Sequence, residues 1–393
     1  MKLCFLLIGL FLNIIILRSQ VNLMEVKPWA YQLQNVDISA IVKDKYFKLV
    51  VTDYSLNGTD ELKFTKQQID YIKNSGKYAI SYISIGEAED YRFYWKSGWK
   101  TNPPQWLGPE NPEWLGNYKV RFWFKEWEDI VLGYIDTIIS QGFDGIYLDI
   151  IDAWYYWAVE KSEKPDADSL MCRFVINIRN YVNSKTGNKN FIIIPQNAED
   201  VIYQKNISNG LRSSYFDAIN AIGLEDVFFP GANDENNNYN PDEYRLGVIK
   251  NYLSNNKQVY SIEYLTEPAK ISLYQITASE KKFIPYSCVR QLNKMCPALV
   301  SGFTEPKISD NLFPHPFSSS TKFNYQLSEP NRVKIDIYNS LGEKITTLVD
   351  EWQEAGRHNC ELRIENYELS AGMYYYTIRI GERIGSGKLL LIK

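Results

Sequence analysis

One short apolar segment, residues 145–150, constrains the fold of this chain more than any other part of its sequence. The stretch before it carries apolar residues at helical spacing, and Gly142 follows as the expected C-terminal cap of that helix. Because the segment is apolar on both faces and bounded by turn signals, we predict a strand of a parallel sheet that helices cover on both sides. Asp149 stands near its C-terminal end, where a carboxylate is costly to bury unless it has a use. Asp149 is therefore a candidate catalytic acid, and the alternative is a carboxylate that caps the next helix.

Strand-like and helix-like segments alternate along residues 26–303. The segments predicted to be strands are residues 30–33, 47–52, 78–85, 145–150, 191–194, 218–223, 259–262 and 283–286. Helices are predicted between them, and one of these begins at a capping box formed by Thr65 and Gln68. This alternation predicts an α/β protein with the fold of a (β/α)8 TIM barrel. An open, doubly wound sheet is the alternative, which the lack of a glycine-rich phosphate loop after the first strand disfavours.

An insertion and a second domain complete the predicted organisation. Residues 93–123, after the third strand, are rich in aromatic residues and proline, and a loop of that length is typically functional. Residues 304–321 are rich in Pro, Ser and Asn and are predicted to be a linker. Beyond them, residues 322–393 contain short alternating segments separated by glycines, which predict a small antiparallel β-sandwich.

The N-terminus, residues 1–20, has the anatomy of a secretory signal peptide. Lys2 precedes an apolar run that ends in a polar exit beginning at Arg18. The run is shorter than the roughly 20 residues that a transmembrane helix needs, and no later segment is apolar enough to cross a bilayer. We therefore expect an exported protein without a stable membrane span.

The composition argues against several kinds of catalytic or binding site in the main domain. Only two histidines are present, His315 and His358, and both lie beyond the predicted barrel, so neither a Ser-His-Asp site nor a histidine-ligated metal site is expected there. The net charge of -4 offers no basic surface for nucleic acid. We predict no metal, no cofactor and a monomeric protein. The cysteines form no recognisable framework, so a Cys288–Cys296 disulfide and buried free thiols both stay open.

Polar side chains end most of the predicted strands. The groups concerned are Asp53, Glu87, Asp149, Gln196, Asn197, Glu225, Glu263 and Tyr264. In a parallel barrel these ends meet at one face, where like charges repel unless they share protons or bind a ligand. Paired carboxylates together with abundant aromatic residues are typical of glycoside hydrolysis, in which one acid protonates the leaving oxygen while the other attacks or activates water.

Three motifs connect the chain to a known family. Residues 82–92 (YISIGEAEDYR), 142–149 (GFDGIYLD) and 223–226 (GLED) resemble glycoside hydrolase family 114 and its relatives, the endo-α-1,4-polygalactosaminidase-like TIM barrels. Some members of that group carry a label that relates them to cysteinyl-tRNA synthetase, although neither an ATP-binding signature nor zinc-ligand cysteines occur here. The resemblance covers residues 29–303, and the insertion 93–123 departs from the family pattern.

The family resemblance implies a hydrolase that acts on an α-linked polysaccharide, with galactosamine-containing polymers as the leading candidates. It implies that Asp149 and Glu225 are the catalytic pair, as nucleophile and general acid/base respectively. The apolar residues before Glu225 are expected to desolvate it and to favour its protonated form. Asp149 is expected to stay ionised, helped by a cation such as Arg92. The alternative function is a surface carbohydrate-binding protein on a catalytically idle barrel.

Ten further side chains are expected to line the site and bind substrate. They lie at or just beyond the strand ends and are Asp53, Tyr54, Glu87, Arg92, Asp152, Trp154, Gln196, Asn197, Glu263 and Tyr264. For Asp152, capping of the next helix is the alternative. Trp154 is the first residue of an aromatic run, residues 154–157. If this run is helical, one or two of its rings point toward the cleft and the others are buried.

The C-terminal domain resembles a different kind of module. Residues 311–314, 333–342, 369–374 and 388–393 are similar to the C-terminal sorting domain of the type IX secretion system. That resemblance implies a Bacteroidetes-type source, passage through the periplasm, and release or attachment at the cell surface by the type IX machinery. The alternative is a carbohydrate-binding sandwich, which the presence of a single tryptophan, Trp352, disfavours.

Overall fold

The computed structural model describes residues 23–187, 190–298, 312–327, 330–367, 369–381 and 383–392. The predicted signal peptide lies outside the described residues, and so does the first part of the predicted linker, residues 304–311. Within the described ranges no helix is long and apolar enough to cross a membrane.

Parallel strands and helices alternate through the N-terminal part of the chain. In chain order the elements are β1 (Trp29–Gln32), α1 (Ile38–Lys43), β2 (Leu49–Thr52), α2 (Lys66–Asn74), β3 (Tyr78–Ser84), β4 (Glu87–Glu89), β5 (Leu107–Glu110), β6 (Asn117–Val120), α3 (Lys125–Gln141), β7 (Gly145–Asp149), α4 (Ala153–Tyr155), α5 (Ala167–Thr186), β8 (Ile192–Pro195), α6 (Asn209–Ala218), β9 (Ala221–Glu225), α7 (Glu243–Ser254), β10 (Gln258–Glu263), α8 (Pro268–Glu280) and β11 (Ile284–Ser287). Strands β1, β2, β3, β7 and β8 form one parallel sheet in that order, and β9, β10 and β11 form a second. A parallel bridge between Gln196 and Gly223 connects the two sheets. The predicted α/β class is confirmed.

Local sequence signals set the ends of two helices as predicted. The Thr65 side chain accepts from the backbone of Gln68, and the Gln68 side chain accepts from the Thr65 backbone N–H at 2.8 Å, so the capping box opens α2. Helix α3 ends at Gly142, whose φ of 88° lies in the left-handed region that glycine favours. Strand β9 is displaced from its predicted position, because α6 extends through Ala218 and Glu225 is the last residue of the strand.

Five buried aromatic rings pack between the two parallel sheets. They belong to Trp29, Tyr31, Tyr147, Tyr260 and Tyr286 and are called the aromatic floor below. The ring centroid of Trp29 lies 5.3 to 6.3 Å from those of the other four. Rings at such separations attract one another beyond the gain from burying their surface. Because the rings come from β1, β7, β10 and β11, the aromatic floor joins both sheets.

The insertion predicted as a functional loop, residues 93–123, is a folded unit. Strands β4, β6 and β5 form a three-stranded antiparallel sheet in that order. Trp106 is buried, and its ring centroid lies 4.9 Å from that of Trp99 and 5.0 Å from that of Trp127 on α3. Part of the aromatic composition is therefore explained by the small core that fastens this sheet to the parallel domain.

The C-terminal part of the chain consists of antiparallel strands. They are β12 (Leu312–Phe313), β13 (Ser320–Leu327), β14 (Asn331–Tyr338), β15 (Lys344–Gln353), β16 (Gly356–Arg363), β17 (Gly372–Ile380) and β18 (Arg383–Leu391). One sheet has the order β12-β13-β16 and the other β15-β14-β17-β18, and their shared core includes Phe323, Ile335 and Ile378. The predicted antiparallel domain is confirmed. Strand β12, which lies inside the stretch predicted to be a linker, 304–321, pairs with β13.

Candidate active site

Asp149 and Glu225 are the last residues of β7 and β9, at the C-terminal edge of the parallel strands. Side chains alternate along a strand, so Asp149 shares its face with Tyr147 and Glu225 shares its face with Gly223. The Tyr147 hydroxyl reaches across to Gly223, where an added Cβ atom would lie 1.8 Å from the phenol oxygen. Only glycine fits this close approach. Gly223 in the GLED motif therefore leaves room for the buried Tyr147 hydroxyl. Burial, and then the charges of Glu225 and Asp149, raise the pKa of this hydroxyl.

Asp149 is half-buried and accepts a hydrogen bond from the Tyr82 hydroxyl, which lies 2.7 Å from its Oδ2 atom. Burial, and to a smaller extent the negative charge of Glu225, raise the pKa of Asp149 to about 8 against the opposing hydrogen bond from Tyr82. The expectation that Asp149 stays ionised at neutral pH is therefore not met. Asp149 therefore holds a proton at neutral pH.

Glu225 is surrounded by hydrogen-bond donors. Its carboxylate accepts from Asn197 Nδ2 at 3.0 Å, and also from Gln196 Nε2 and the Tyr264 hydroxyl. The Tyr31 hydroxyl donates to Gln196 Oε1 at 3.1 Å, which turns the amide nitrogen toward Glu225. Alternation along β9 directs Leu224, the apolar neighbour of Glu225, to the opposite face. Three of the predicted binding residues thus contact the predicted catalytic acid itself.

Arg245 and Glu199 support this network, and the sequence does not predict either. Arg245, in the first turn of α7, donates to the backbone oxygen of Glu225 at 2.9 Å and to Asn197 Oδ1 at 3.1 Å. Its guanidinium also forms an ion pair with the buried Glu199. The backbone N–H of Glu225 donates to the same Asn197 Oδ1 at 2.9 Å. Arg245 therefore holds the end of β9 in place, a role for which its own neighbours in the sequence give no signal.

Asp152 and Trp154 both follow β7 but differ in exposure. Asp152 is exposed, and its side chain makes no capping hydrogen bond to α4, so the structure does not support the capping alternative. Trp154 is 5% exposed, whereas its neighbour Tyr155 is 48% exposed. Trp154 is therefore packed inside the protein, and its contact with substrate stays a prediction. Tyr155 is the ring of the aromatic run that solvent reaches most.

Asp53, Tyr54 and Arg92, all predicted to bind substrate, form a buried group with Glu89 that we call the Arg92 cluster. The Arg92 guanidinium donates to Asp53 Oδ2 at 2.7 Å and to Glu89 Oε2 at 2.6 Å, and these three side chains are at most 5% exposed. The fully buried Tyr54 ring lies 5.6 Å from Arg92 Cζ. In the structure Asp53 and Arg92 are paired with each other, and the Tyr54 ring is buried beside them. Their contact with a substrate stays a prediction. Arg92 pairs with Asp53 and Glu89 rather than with Asp149.

Glu87 and Glu263 are also buried and hydrogen-bonded within the protein. The buried Glu87 accepts hydrogen bonds from Asn111 Nδ2 at 2.9 Å and from Lys119 Nζ at 3.2 Å, which fastens the inserted sheet beside β3. The buried Glu263 accepts from the backbone N–H of Phe228 at 2.7 Å. Burial raises the pKa of Glu263 to about 8 against its backbone hydrogen bonds. Both acids hold loops beside the site, and their contact with a sugar stays a prediction.

The arrangement defines a class of protein. A pair of interacting carboxyl groups lies at the C-terminal edge of parallel strands, with an exposed carboxylate at Asp152 and an exposed ring at Tyr155 close behind in the chain. In the described part of the chain no group of His, Cys, Asp and Glu side chains is arranged to hold a metal ion. Such a pair of carboxyl groups on an α/β scaffold is typical of glycoside hydrolases.

Comparison with known proteins gives the family. Residues 18–299 match the model of Glycoside-hydrolase family GH114, and residues 311–393 match that of the Secretion system C-terminal sorting domain. The chain belongs to family GH114 and carries a sorting domain at its C-terminus. It is 39% identical over 266 residues to an uncharacterised protein of Methanocaldococcus jannaschii. The aligned stretch covers 66% of this chain and 74% of that relative. It is also 33% identical over 289 residues to an uncharacterised protein of Thermotoga maritima, 71% of this chain and 85% of that one.

Two solved structures share the α/β fold. The glycoside hydrolase domain of PelA from Pseudomonas aeruginosa superposes with a TM-score of 0.52 at 12% identity and covers 68% of this chain and 96% of that domain. Aspergillus fumigatus Ega3, solved in complex with galactosamine, superposes with a TM-score of 0.51 at 17% identity. The superposition covers 70% of this chain and 95% of Ega3. At these identities the likeness concerns the fold alone.

Proposed function

We propose that this protein is an exported glycoside hydrolase that cleaves an α-linked, galactosamine-containing polysaccharide, with Asp149 and Glu225 as its catalytic pair. The observation that carries the proposal is that two carboxyl groups each end a parallel strand and form no ion pair within the described chain. The charge of Glu225 also contributes to the raised pKa of Asp149. Other acids of this edge are held by arginine, lysine or backbone amides. Membership of family GH114 supports the same class of reaction.

The pair suits glycosidic cleavage because it holds one proton. Two carboxyl groups that repel each other do not both ionise at neutral pH, so one of them stays protonated. The protonated acid can donate to the glycosidic oxygen while the carboxylate attacks the sugar or activates water. Three donors face Glu225, and we therefore assign the carboxylate to Glu225 and the proton to Asp149 in the ligand-free enzyme. This assignment is the reverse of the roles that the family resemblance implies.

The charge of the site favours an amino sugar as substrate. Asp152 adds an exposed carboxylate whose charge reaches Asp149, and Glu225 contributes the third carboxyl group. The amine of a galactosamine unit is a cation at neutral pH, so it gains an ion pair that a neutral sugar lacks. The exposed ring of Tyr155 offers a face on which a sugar can stack. The galactosamine bound to the structurally similar Ega3 is consistent with this choice.

We propose that the two parallel sheets close into a (β/α)8 barrel around the aromatic floor. The Trp29 indole on β1 donates to the backbone oxygen of Ile284 on β11 at 2.9 Å. The backbone N–H groups of Leu33 and Gln34, just after β1, donate to the backbone oxygen of Leu292, just after β11, at 2.9 and 3.1 Å. These contacts between the outer strands of the two sheets support closure.

We also propose the route of export. The sorting domain supports transport to the cell surface or the medium by the type IX machinery, and residues 1–20 act in this proposal as a cleaved signal peptide. The secreted enzyme is then a monomer that begins near residues 20–24 and lacks much of the region after Phe313. Intact-mass measurement of secreted protein tests this, and a retained C-terminal domain would count against it.

The test of the function is the release of reducing ends by the purified protein from three polymers. These are an α-1,4-linked galactosamine polymer, its fully N-acetylated form and a neutral galactan. We expect cleavage of the first, slower cleavage of the second because it lacks the charge that Asp152 would bind, and none of the third. Binding of the galactosamine polymer without any reducing ends would contradict hydrolysis and support the alternative, a carbohydrate-binding protein on an idle barrel.

A further inference from the structure

The loop that follows β11 is closed into a ring by a disulfide between Cys288 and Cys296, which decides between the alternatives that the sequence left open. The backbone oxygen of Leu292, inside the ring, accepts hydrogen bonds from Leu33 and Gln34, so the ring is tied to the end of β1 as well as to β11. A loop fixed at both ends and in its middle is a rigid mount for a side chain at the edge of the site.

Arg290 is the side chain that this ring directs toward the catalytic pair. Its Nη2 atom lies 2.9 Å from Asp226 Oδ2, one residue beyond Glu225, and its Nε donates to the backbone oxygen of Asp234 at 3.0 Å. Its Cζ atom lies 4.0 Å from the centroid of the Tyr264 ring. The side chain is only 24% exposed. Arg290 therefore connects the ends of β9, β10 and β11.

Tyr264 links Arg290 to the catalytic acid. Its hydroxyl donates to Glu225 Oε1, and its ring is buried. A guanidinium held over the face of a phenol attracts the electrons of the ring, which makes the hydroxyl a stronger donor. Burial and the charge of Glu225 raise the pKa of Tyr264 well above its usual value, and the positive charge of Arg290 opposes them.

We propose that Arg290 is a positioning residue for Glu225, that it acts through Tyr264, and that the Cys288–Cys296 ring holds it there. The inference rests on the proposed function, because it explains how the carboxylate of the pair is kept oriented and ionised. In the described chain Arg290 reaches Glu225 through Tyr264 and not by a hydrogen bond of its own, so it is not a catalytic residue.

Several charged or titratable groups face Glu225, and all of them enter its pH dependence. They are Asp149, Tyr147, Tyr31, Asp152, Asp226, Tyr264, Arg245 and Arg290. The acids favour protonation of Glu225, and the two arginines oppose it. Arg245 contacts the backbone oxygen of Glu225, whereas Arg290 faces the phenol that bonds the carboxylate. Removal of Arg290 therefore favours the protonated acid while the Arg245 contact stays in place.

The test compares the pH profile of kcat/KM for the wild-type enzyme with those of Arg290→Met and Arg290→Lys. Methionine keeps an extended side chain without its charge, so the acid limb, which reports protonation of the carboxylate, should move to higher pH by about half a unit or more. Lysine keeps the charge, so its acid limb should stay near the wild-type position while kcat falls, because flat stacking on Tyr264 is lost. In a Tyr264→Phe background, Arg290→Met should add no further shift.

Arg121→Met is the matched control. Arg121 Cζ lies 4.5 Å from the ring centroid of Trp157, and its guanidinium pairs with Glu163. This is the same combination of ring and acid outside the catalytic pair, so the variant should leave the acid limb where it is. Urea unfolding of each variant separates a loss of fold from a shift of the profile.

An Arg290→Met enzyme whose acid limb stays at the wild-type pH overturns the inference, and so does a fall in kcat that is equal at every pH. A Cys288→Ser/Cys296→Ser double variant should shift the limb in the same direction by a smaller amount, and an unmoved limb would overturn the role of the ring. Failure of the proposed function is a separate result, in which the wild type releases no reducing ends. Carbon-13 NMR titration of the Glu225 carboxyl, assigned with Glu225→Gln, then still measures whether Arg290→Met moves its midpoint.

Discussion

The Arg92 cluster and the catalytic pair lie at the same edge of the parallel strands but surround their acids differently. In the Arg92 cluster, Asp53 and Glu89 share one buried guanidinium. In the proposed catalytic pair, Asp149 and Glu225 accept hydrogen bonds from neutral donors, and the charge of Glu225 helps to raise the pKa of Asp149. Both groups follow the same sequence rule, an acid at or near the end of a strand, and only the partner distinguishes them.

This difference indicates which acids of an α/β protein are available for chemistry. A buried carboxylate paired with arginine is compensated by a charge whose removal is costly. A carboxyl group that faces another carboxyl group is destabilised when it ionises, and a proton or a cationic substrate relieves that repulsion. The first arrangement therefore serves the fold, and the second serves the reaction.

The largest effect is expected from breaking the Arg92 cluster. Arg92→Met leaves Asp53 and Glu89 buried without their cation, so the free energy of unfolding should fall by about 3–5 kcal/mol. Urea unfolding measures this change. Lys125→Met, which removes an exposed partner of Asp129, is the control and should unfold like the wild type. A loss below about 1 kcal/mol in Arg92→Met would mean that the cluster does not stabilise the fold.

The next effect sharpens the assignment of the proton within the pair. On the polysaccharide, Asp149→Asn should lower kcat by about 100- to 10,000-fold, the range that general acid catalysis supplies. On an aryl glycoside, whose phenolate leaving group barely needs a proton, the same variant should recover most of its rate. Glu225→Gln should be inactive on both substrates. The opposite pattern would show that substrate binding moves the proton to Glu225, as the family resemblance implies.

The pH dependence of kcat/KM should report the loss of the proton that the proposed pair holds. Because the pKa of Asp149 is raised to about 8, the pair keeps its proton below that pH and loses it above. Without a proton no general acid remains, so kcat/KM should fall about tenfold for each pH unit above 8. Initial rates on the polysaccharide at constant ionic strength measure this limb. A flat profile to about pH 9 would exclude a shared proton of this kind.

A further effect is expected on the pH dependence of stability. The folded-state pKa of Asp149, about 8, lies above its value in the unfolded chain. Its contribution to stability is therefore fully present below about pH 3.9 and is lost as the pH rises through about 8. Asp149→Asn has no such titration, so its free energy of unfolding should decline less than that of the wild type over this range. Urea unfolding at several pH values measures both slopes, and equal slopes would contradict the raised pKa.

The fold could be predicted where it depends on neighbouring residues. The capping box at Thr65, the glycine stop at Gly142 and the buried run that follows it are local signals, and all three are right. The inserted sheet was not predictable in the same way, because contacts such as Trp106 with Trp127 join distant parts of the chain. Strand β12 was not predictable for a related reason, since it is defined only by its pairing with β13.

The site was predictable only in part, because the sequence shows acids but not their partners. Arg92 and Asp53 are 39 positions apart in the chain, and nothing near either residue in the sequence indicates their buried ion pair. Arg245 lies 20 positions beyond Glu225, and nothing near it in the sequence indicates that it holds the backbone there. The motifs located the two acids that end β7 and β9, and the tertiary structure was needed to show that their neighbours are neutral donors.

The most direct test of the central claim, that Asp149 and Glu225 act as a pair, is the release of reducing ends from an α-1,4-linked galactosamine polymer by four purified proteins. They are the wild type, Asp149→Asn, Glu225→Gln and Asp144→Asn. Asp144 is the matched control, because it precedes β7 at the opposite end, where it accepts from the Ala79 backbone N–H at 3.0 Å and pairs with Lys73. We predict activity in the wild type and in Asp144→Asn, and its loss in the other two although both remain folded. Full activity in both pair variants would contradict the account.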